Sequence, residues 1–425
     1  MNMPRKPVDL RTFGCRLNAF ESEVMRGHAE AAGLTDTIVF NTCAVTAEAE
    51  RQARQAIRKA RRENPAATIV VTGCAAQIDP ARFAAMAEVD RVLGNEEKLD
   101  AGQWTPALET APVAVADIMA VRDTAPHLIN GFDGRSRAFV QIQQGCDHRC
   151  TFCIIPYGRG NNRSLPLGAI VDQVRALVAG GYREVVLTGV DIASYGGDLP
   201  GRPGLANLVR RLLALVPDLA RLRFSSLDPT AFDDDLVQVI ADEPRVMPHL
   251  HLSLQAGHDL ILKRMKRRHL TADVTALLVR LRAARPGLVF GADVIAGFPT
   301  ESAAMHAQTL AHLAAWEIPF LHVFPYSPRP GTPAARMPQV AVETRRRRAK
   351  DLRDLGGRLR RAHGAGQIGR IVTVLAERAD FGHADDFTPV TLRGGARPGA
   401  LVRAKVTGTT EDGVAATIAD DAVAA

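Results

Sequence analysis

The chain is expected to be an α/β protein in three parts. These are an N-terminal α/β domain with a parallel sheet, a central partial (β/α)6 barrel, and a small C-terminal β-barrel. Three observations predict this. Short β-rich runs alternate with helical stretches over residues 1–100, the same alternation restarts at residue 138, and the stretch 366–425 alternates like strands between Gly-rich turns. A chain of 425 residues is also too long for one ordinary core.

In the first part, strand-like Val8–Thr12 leads to Gly14 and Cys15, with a helix from about Ala19 to Ala32. Strand-like Thr37–Phe40 leads to Cys43 and a helix from about Ala47 to Glu63, and Thr68–Val71 leads to Gly73 and Cys74. Residues 101–130 are rich in Ala, Pro and Thr and read as a connector with one edge strand, Val113–Ala116. In the central part the strands are Ala138–Gln143, Glu184–Thr188, Arg221–Ser225, His249–Leu252, Val289–Val294 and Phe320–Val323, with helices such as Leu167–Ala179 and Leu205–Leu215 between them. Six such units argue a parallel, partly open barrel with its site at the C-terminal strand ends. The expected boundaries are 1–110, a linker 111–131, a core 132–362 that ends in a basic helix, and 363–425.

Composition narrows the function. Hydrophobic content of 46% and charged content of 23% are globular. No run of about 18 apolar residues occurs, and MNMPRKPVDL lacks the apolar core of a signal peptide, so a cytoplasmic protein is expected. The net charge of +7 permits a polyanionic partner without requiring one.

The six cysteines fall into two sets. Cys146, Cys150 and Cys153 form C-x3-C-x2-C on one loop after the first barrel strand. Structural zinc wants four closed ligands, and no nearby fourth Cys or well-spaced His completes a set; His148, beside Asp147, reads as part of a solvated turn. An iron–sulfur cubane normally takes four thiolates, so three leave one iron open to an exogenous ligand. Cys15, Cys43 and Cys74 are dispersed, but each ends a strand and precedes a helix. In a parallel sheet such turns share one edge. Three unrelated buried cysteines would not repeat one structural slot. Thiols facing helix N-termini are expected to be lowered in pKa and ready for metal.

The compact loop, with Phe152 before its third Cys, resembles the signature of the radical S-adenosylmethionine (SAM) superfamily. Both sets together, in TFGCRLNAFES, VFNTCAVTAEAE and VTGCAAQ, resemble the methylthiotransferase family within it. The stretches NTCAVTAEAERQARQAIRKARRENP, EVVLTGVDIASYGG and HVFPYSPRPGTPAARM are most similar to the group acting on N6-threonylcarbamoyladenosine at position 37 of tRNA. That resemblance implies two [4Fe-4S] clusters, on Cys146, Cys150 and Cys153 and on Cys15, Cys43 and Cys74, with SAM at the first. It implies an enzyme that adds a methylthio group to adenine C2 using two SAM, with no acid or base side chain assigned. It further implies a SAM pocket at Thr188, Gly189, Ser253, Gln255, Gly297, Phe298 and Glu301. Plainer readings remain, since Gly-Phe-Pro starts helices anywhere and Ser253 and Gln255 suit a polar loop. Departures from the family pattern are Arg16 for Lys, Ala256 for Ser, Thr300 for Gly, and Asn161-Asn162 in a stretch that is usually more basic.

Partners follow from charge as well as resemblance. Arg51, Arg54, Arg58 and Arg61 share a helix face, read either as a solvated stripe or as a phosphate track. Residues 344–361 hold nine basic and two acidic side chains on an expected helix, with Arg345, Arg346, Arg347 and Arg348 in one run; the block resembles the basic helix leading to a tRNA-binding module, and the four are read as RNA-phosphate contacts. The tail resembles a TRAM domain, although residues 364–425 carry eight acids against six Arg and Lys. Arg370, Arg378, Arg403 and Lys405 are its local basic groups. A tRNA anticodon stem-loop and an electron donor are the implied partners, with neither DNA nor membrane expected. The alternatives are a methylthiotransferase for isopentenyladenosine-37 or for a ribosomal-protein aspartate, and a non-catalytic iron–sulfur RNA-binding protein.

Overall fold

The computed structural model describes residues 6–105 and 111–419. Met1–Arg5 of the N-terminal segment, part of the boundary near 110 and the last six residues of the tail lie outside them. No helix among the described residues is long and apolar enough to cross a membrane.

The N-terminal sheet has five parallel strands in sequential order: Asp9–Thr12, Thr37–Thr42, Thr68–Gly73, Arg91–Leu93 and Val113–Ala114. The fifth comes from the connector and is shorter than expected. Helix Arg16–Ala31 begins three residues earlier than the sequence suggests, directly after Cys15. Helix Ala47–Glu63 starts at Thr46, whose side chain accepts from the Ala49 N–H, and buries Ala53, Ile57 and Ala60 on one stripe.

The central strands are parallel and arranged as two three-stranded sheets. The first holds Ala138–Gln141, Glu184–Thr188 and Arg221–Phe224, and the second holds His249–Gln255, Val289–Ala296 and Phe320–Pro325. Isolated bridges Leu222–Val246 and Leu227–Leu252 link the two sheets, giving the six-stranded partial barrel. The first strand breaks at Ile142 and resumes as Gln143–Gln144, paired to Arg163–Ser164. Three later strands run two or three residues beyond the expected ends, because pairing with a neighbour carries them further than the local pattern marks.

Helix Val342–Ala365 packs across the last barrel strands and leads into a closed five-stranded barrel of residues 371–418. Its seam pairs Pro389–Arg393 with Val414–Ile418 in parallel. This small barrel seats on the N-terminal end of the large one. Phe387 stacks on His249 at 5.0 Å, and Arg223 donates to the carbonyls of Ala384 and Asp385. Glu377 takes Arg137 at 2.8 Å, and Asp385 pairs with Arg221. Several of the tail's acids therefore face the core, while Arg370, Arg393, Arg397, Arg403 and Lys405 point outward.

Candidate active site: two facing thiol triads

The compact loop is held on all sides by backbone. Cys146 N–H donates to Gly160 O at 3.0 Å, and Thr151 N–H donates to Met265 O at 3.1 Å. Ala334 N–H donates to Thr151 O at 2.9 Å. Gly145 opens the loop at φ +72°, and a Cβ there would collide with the carbonyl of Asn161. His148 Nε2 lies 3.1 Å from Asp191, so it faces a carboxylate. Arg267 reaches both the Cys150 sulfur, at 3.8 Å, and Asp228, at 2.7 Å.

The dispersed triad is assembled by the sheet. Strand register places Asn41 beside Thr12 and Thr72, so the chain leaves all three strands at one edge. Cys15 caps the first helix, Cys43 follows the second strand, and Cys74 opens the short helix Cys74–Ile78. A Cβ on Gly14, at φ +96°, would stand 2.7 Å from Cys43 Cβ and 2.8 Å from its sulfur. Cys15 is exposed by surface area yet crowded enough that burial raises its thiol.

One buried arginine joins the two sites. Helix Ile155–Arg159 begins two residues after Cys153 and packs on Cys74–Ile78. At its end Arg159 Nε donates to Cys74 Sγ at 3.1 Å, and Arg159 Nη2 donates to Glu21 at 2.8 Å and to Asn18. Lys98 donates to Glu21 at 2.6 Å and to Asn95 at 2.7 Å, with both ends of the Lys98–Glu21 pair fully buried. Burial alone would raise the Glu21 carboxyl, but Arg159 and Lys98 hold it below its usual range. Sequence reading missed Arg159, Glu21 and Lys98, because each is an ordinary charged residue until its partner is known.

The expected lowering of the thiol pKa does not occur at Cys15 or Cys43. Burial pushes Cys43 and Cys146 up to about 12 and Cys153 up to about 11. The neighbouring thiols add to the rise, and desolvation outweighs the helix ends. Without metal these groups hold their protons, and binding must release them. Among the described residues, the sole trio of His, Cys, Asp and Glu with ligand atoms within 4.8 Å of one another is His251, Asp293 and His322. In each cysteine triad at least one pair of sulfurs stands wider than this. A tetrahedral zinc would hold sulfurs about 3.8 Å apart, from Zn–S near ~2.3 Å, so each triad suits a cluster better than a single ion.

The residues expected to meet SAM lie at the strand ends above the compact loop. Thr188 ends the second strand, and a Cβ on Gly189 would sit 2.7 Å from the Gln143 carbonyl. Ser253 O accepts from Arg267 at 2.6 Å, which ties it to the Cys150 environment. Gln255 is at φ +71°. Gly297 N–H donates to Glu301 at 3.0 Å, and Phe298 packs edge-on to Phe152 of the cysteine loop at 6.4 Å. Burial raises the Glu301 carboxyl although Arg348 opposes it. Thr300 stands at φ +67°, a backbone conformation that suits Gly.

The two arginine groups divide. Arg61 donates to carbonyls of Glu88, Pro65 and Ala67, so it braces the N-terminal domain. Arg51 pairs with Glu48, Arg54 lies near Glu50, and Arg58 lies 3.9 Å from Glu88. Arg348 pairs with Glu301 at 2.8 Å, and Arg345 lies against Gly297 and donates to Tyr326 O. Arg346 and Arg347 face solvent from the same helix.

Residues 140–313 match the radical SAM superfamily, and residues 7–94 match Uncharacterized protein family UPF0004. A threonylcarbamoyladenosine tRNA methylthiotransferase MtaB of Rickettsia prowazekii (strain Madrid E) is 51% identical over 403 residues, covering 95% of each chain. The protein of that name from Bacillus subtilis (strain 168) is 34% identical, over 91% of this chain and 90% of its own. A tRNA-2-methylthio-N(6)-dimethylallyladenosine synthase of Cereibacter sphaeroides (strain ATCC 17025 / ATH 2.4.3) is 35% identical, over 94% and 95%. Among solved structures, the radical S-adenosylmethionine methyltransferase TsrM from Kitasatospora setae shares the fold, with TM-score 0.54 at 15% identity over 78% of this chain and 77% of its own. Two thiol triads joined through one buried arginine, on a chain matched over nearly its full length, make it a member of the radical SAM methylthiotransferase family.

Proposed function

We propose that this chain is the tRNA methylthiotransferase that adds a methylthio group to C2 of N6-threonylcarbamoyladenosine at position 37, in the anticodon stem-loop. The observation that carries this is the placement of two incomplete thiol sets on either side of one short helix, Ile155–Arg159, in a chain 51% identical to a relative named for that reaction. When bound, two [4Fe-4S] clusters and SAM supply the reducing electron, the hydrogen-atom abstraction and the methylthio sulfur.

The chain's own part is binding, orientation and exclusion. Cys146, Cys150 and Cys153 would hold the first cluster, and Cys15, Cys43 and Cys74 the second. Gly189, Gln255 and the Gly297–Glu301 turn offer backbone groups to SAM, while Phe152 against Phe298 couples that turn to the cysteine loop. Arg159 keeps positive charge against the second thiol set, which favours its thiolate form. Helix Arg16–Ala31 packs on the first barrel strand and covers that side of the barrel. Arg346, Arg347 and the outward basic groups of the small barrel suit phosphate contact. No side chain is assigned as acid or base.

Total tRNA from a strain lacking the gene, digested and weighed by mass spectrometry, tests this. The 2-methylthio form of N6-threonylcarbamoyladenosine should disappear and return on complementation. Loss of the methylthio isopentenyl nucleoside instead would move the assignment to the dimethylallyladenosine enzymes. An unchanged digest would remove tRNA from the reading.

A further inference from the structure

Below the strand ends, the lumen of the central barrel holds polar groups that neither thiol set uses. His251, Asp293 and His322 come from three adjacent strands in one layer. His251 Nε2 lies 3.0 Å from Asp293, His322 Nδ1 lies 3.5 Å from the same oxygen, and the two imidazole rings are 4.6 Å apart. Register puts Asp293 beside His322, and His322 is 58% exposed, so this layer is open to solvent. Phe324, two residues further along the same face, is also exposed.

Two side chains face this layer with no polar partner of their own. Arg16, next to Cys15, enters from the N-terminal domain and lies over Phe139 of the first strand at 5.9 Å. It is also within electrostatic reach of Asp293 on the fifth strand. Among the described residues it has no ion pair or hydrogen bond, whereas Arg137, Arg221 and Arg223 nearby are all paired. Gln141, one step along the face of Phe139, is 2% exposed, and neither atom of its amide has a partner. A buried amide left unpaired is costly unless a ligand completes it, and the half-buried guanidinium of Arg16 is free to meet that ligand's charge.

We infer that this layer is the subsite for the threonylcarbamoyl arm of the substrate base, with Arg16 and His322 taking its carboxylate. Resting on the proposed function, the assignment names what separates a charged arm from an apolar isopentenyl one. Gln141 meets the ureido group, and Phe324 offers a face to the purine above. Asp293 is a positioning residue that fixes the two imidazoles. The unpaired positive charge of Arg16, within reach of Asp293, opposes a divalent cation and favours an anion.

The test uses the full chain with both thiol sites loaded and anticodon stem-loop RNA in two forms. One carries N6-threonylcarbamoyladenosine at position 37, and the other carries the same nucleoside with its carboxylate as the methyl ester. Fluorescence anisotropy gives Kd for each, and iron content checks each variant. The parent should bind the acid at least about ten-fold tighter than the ester, the range of a charge-assisted contact. Arg16→Gln and His322→Phe should each bring that ratio near one, and Arg16→Lys should restore part of it. Asp293→Asn should shrink the ratio while leaving binding of the ester unmoved. Because Arg16 adjoins Cys15, His322→Phe decides the matter if Arg16→Gln loses iron. Variants that keep the parent ratio, or a stoichiometric non-iron metal lost on His322→Phe, would overturn the subsite. A parent that thiolates the acid form yet shows no preference also overturns it while leaving the function standing. A parent that never thiolates the acid form instead brings down the function.

Discussion

The two thiol triads offer the same number of ligands by opposite routes. Cys146, Cys150 and Cys153 sit within eight residues on one loop, held by backbone contacts to Gly160, Met265 and Ala334. Cys15, Cys43 and Cys74 are 28 and 31 positions apart and meet because three parallel strands stop at one edge. The loop needs its flanking strand and a few anchors. The dispersed set needs the register of a whole sheet and a buried ion cluster behind it. A local site is specified by spacing, whereas an assembled one is specified by the fold that carries it.

The sharpest way to break the comparison is to remove one thiol from each side. Cys150→Ala is expected to abolish SAM cleavage, measured as 5′-deoxyadenosine released under reducing conditions. Cys43→Ala should leave that cleavage and lose sulfur insertion, and each variant should hold about four irons where the parent holds about eight. A Cys43→Ala protein that still thiolates RNA would separate the dispersed set from the reaction.

Next in size is the ion cluster that only the dispersed set depends on. Glu21→Ala leaves Arg159 and Lys98 buried without their carboxylate, and is expected to cost about 3–5 kcal/mol in chemical denaturation. Iron should fall at the dispersed site while SAM cleavage persists. Equal loss at both sites would mean that Arg159 supports the compact loop as well.

A smaller pair of substitutions probes the two entry turns. Gly14→Ala meets Cys43, and Gly145→Ala meets Asn161. Each is at positive φ, so each should destabilise by about 2 kcal/mol. The first should deplete the dispersed site and the second the compact one, as read from iron content and SAM cleavage.

The smallest effect is a pH dependence of the cluster-free protein. An unfolded thiol ionises near ~8.5, whereas Cys43 and Cys146 are raised by burial to about 12 and Cys153 to about 11. Below the unfolded value both states keep the proton, and stability is full. Above it only the unfolded chain releases the proton, so stability declines up to the folded values, on the order of 1–2 kcal/mol per thiol by about pH 10. Urea unfolding at neutral pH and near pH 10 should show a gentler decline for Cys43→Ser.

Much of this was legible in order along the chain. Helices Ala47–Glu63, Leu167–Ala179 and Leu205–Leu215 fall where their apolar stripes put them. Strand ends were less legible, because pairing with neighbours carries His249–Gln255 and Val289–Ala296 past the ends that local pattern marks. Charge was the least legible. Arg61, Arg345 and Arg348 look like phosphate ligands in a basic run, yet they bond to a loop, to Tyr326 and to Glu301. Thr300 shows the converse, since its departure from Gly was visible in sequence and its positive φ gives the departure a physical meaning.

Sequence alone determined the six sulfurs, their grouping into two threes, and the alternation that makes the N-terminal parallel sheet, the central partial barrel and the small barrel. Those depend on spacing and periodicity, which are local properties. The tertiary structure decided which charges are free. Glu21 meets Arg159 across 138 residues, Arg137 meets Glu377 across 240, and Arg16 is left unpaired above Asp293. A charged side chain carries no local mark of its partner, so only the folded chain shows which arginine is already satisfied and which still waits for a ligand.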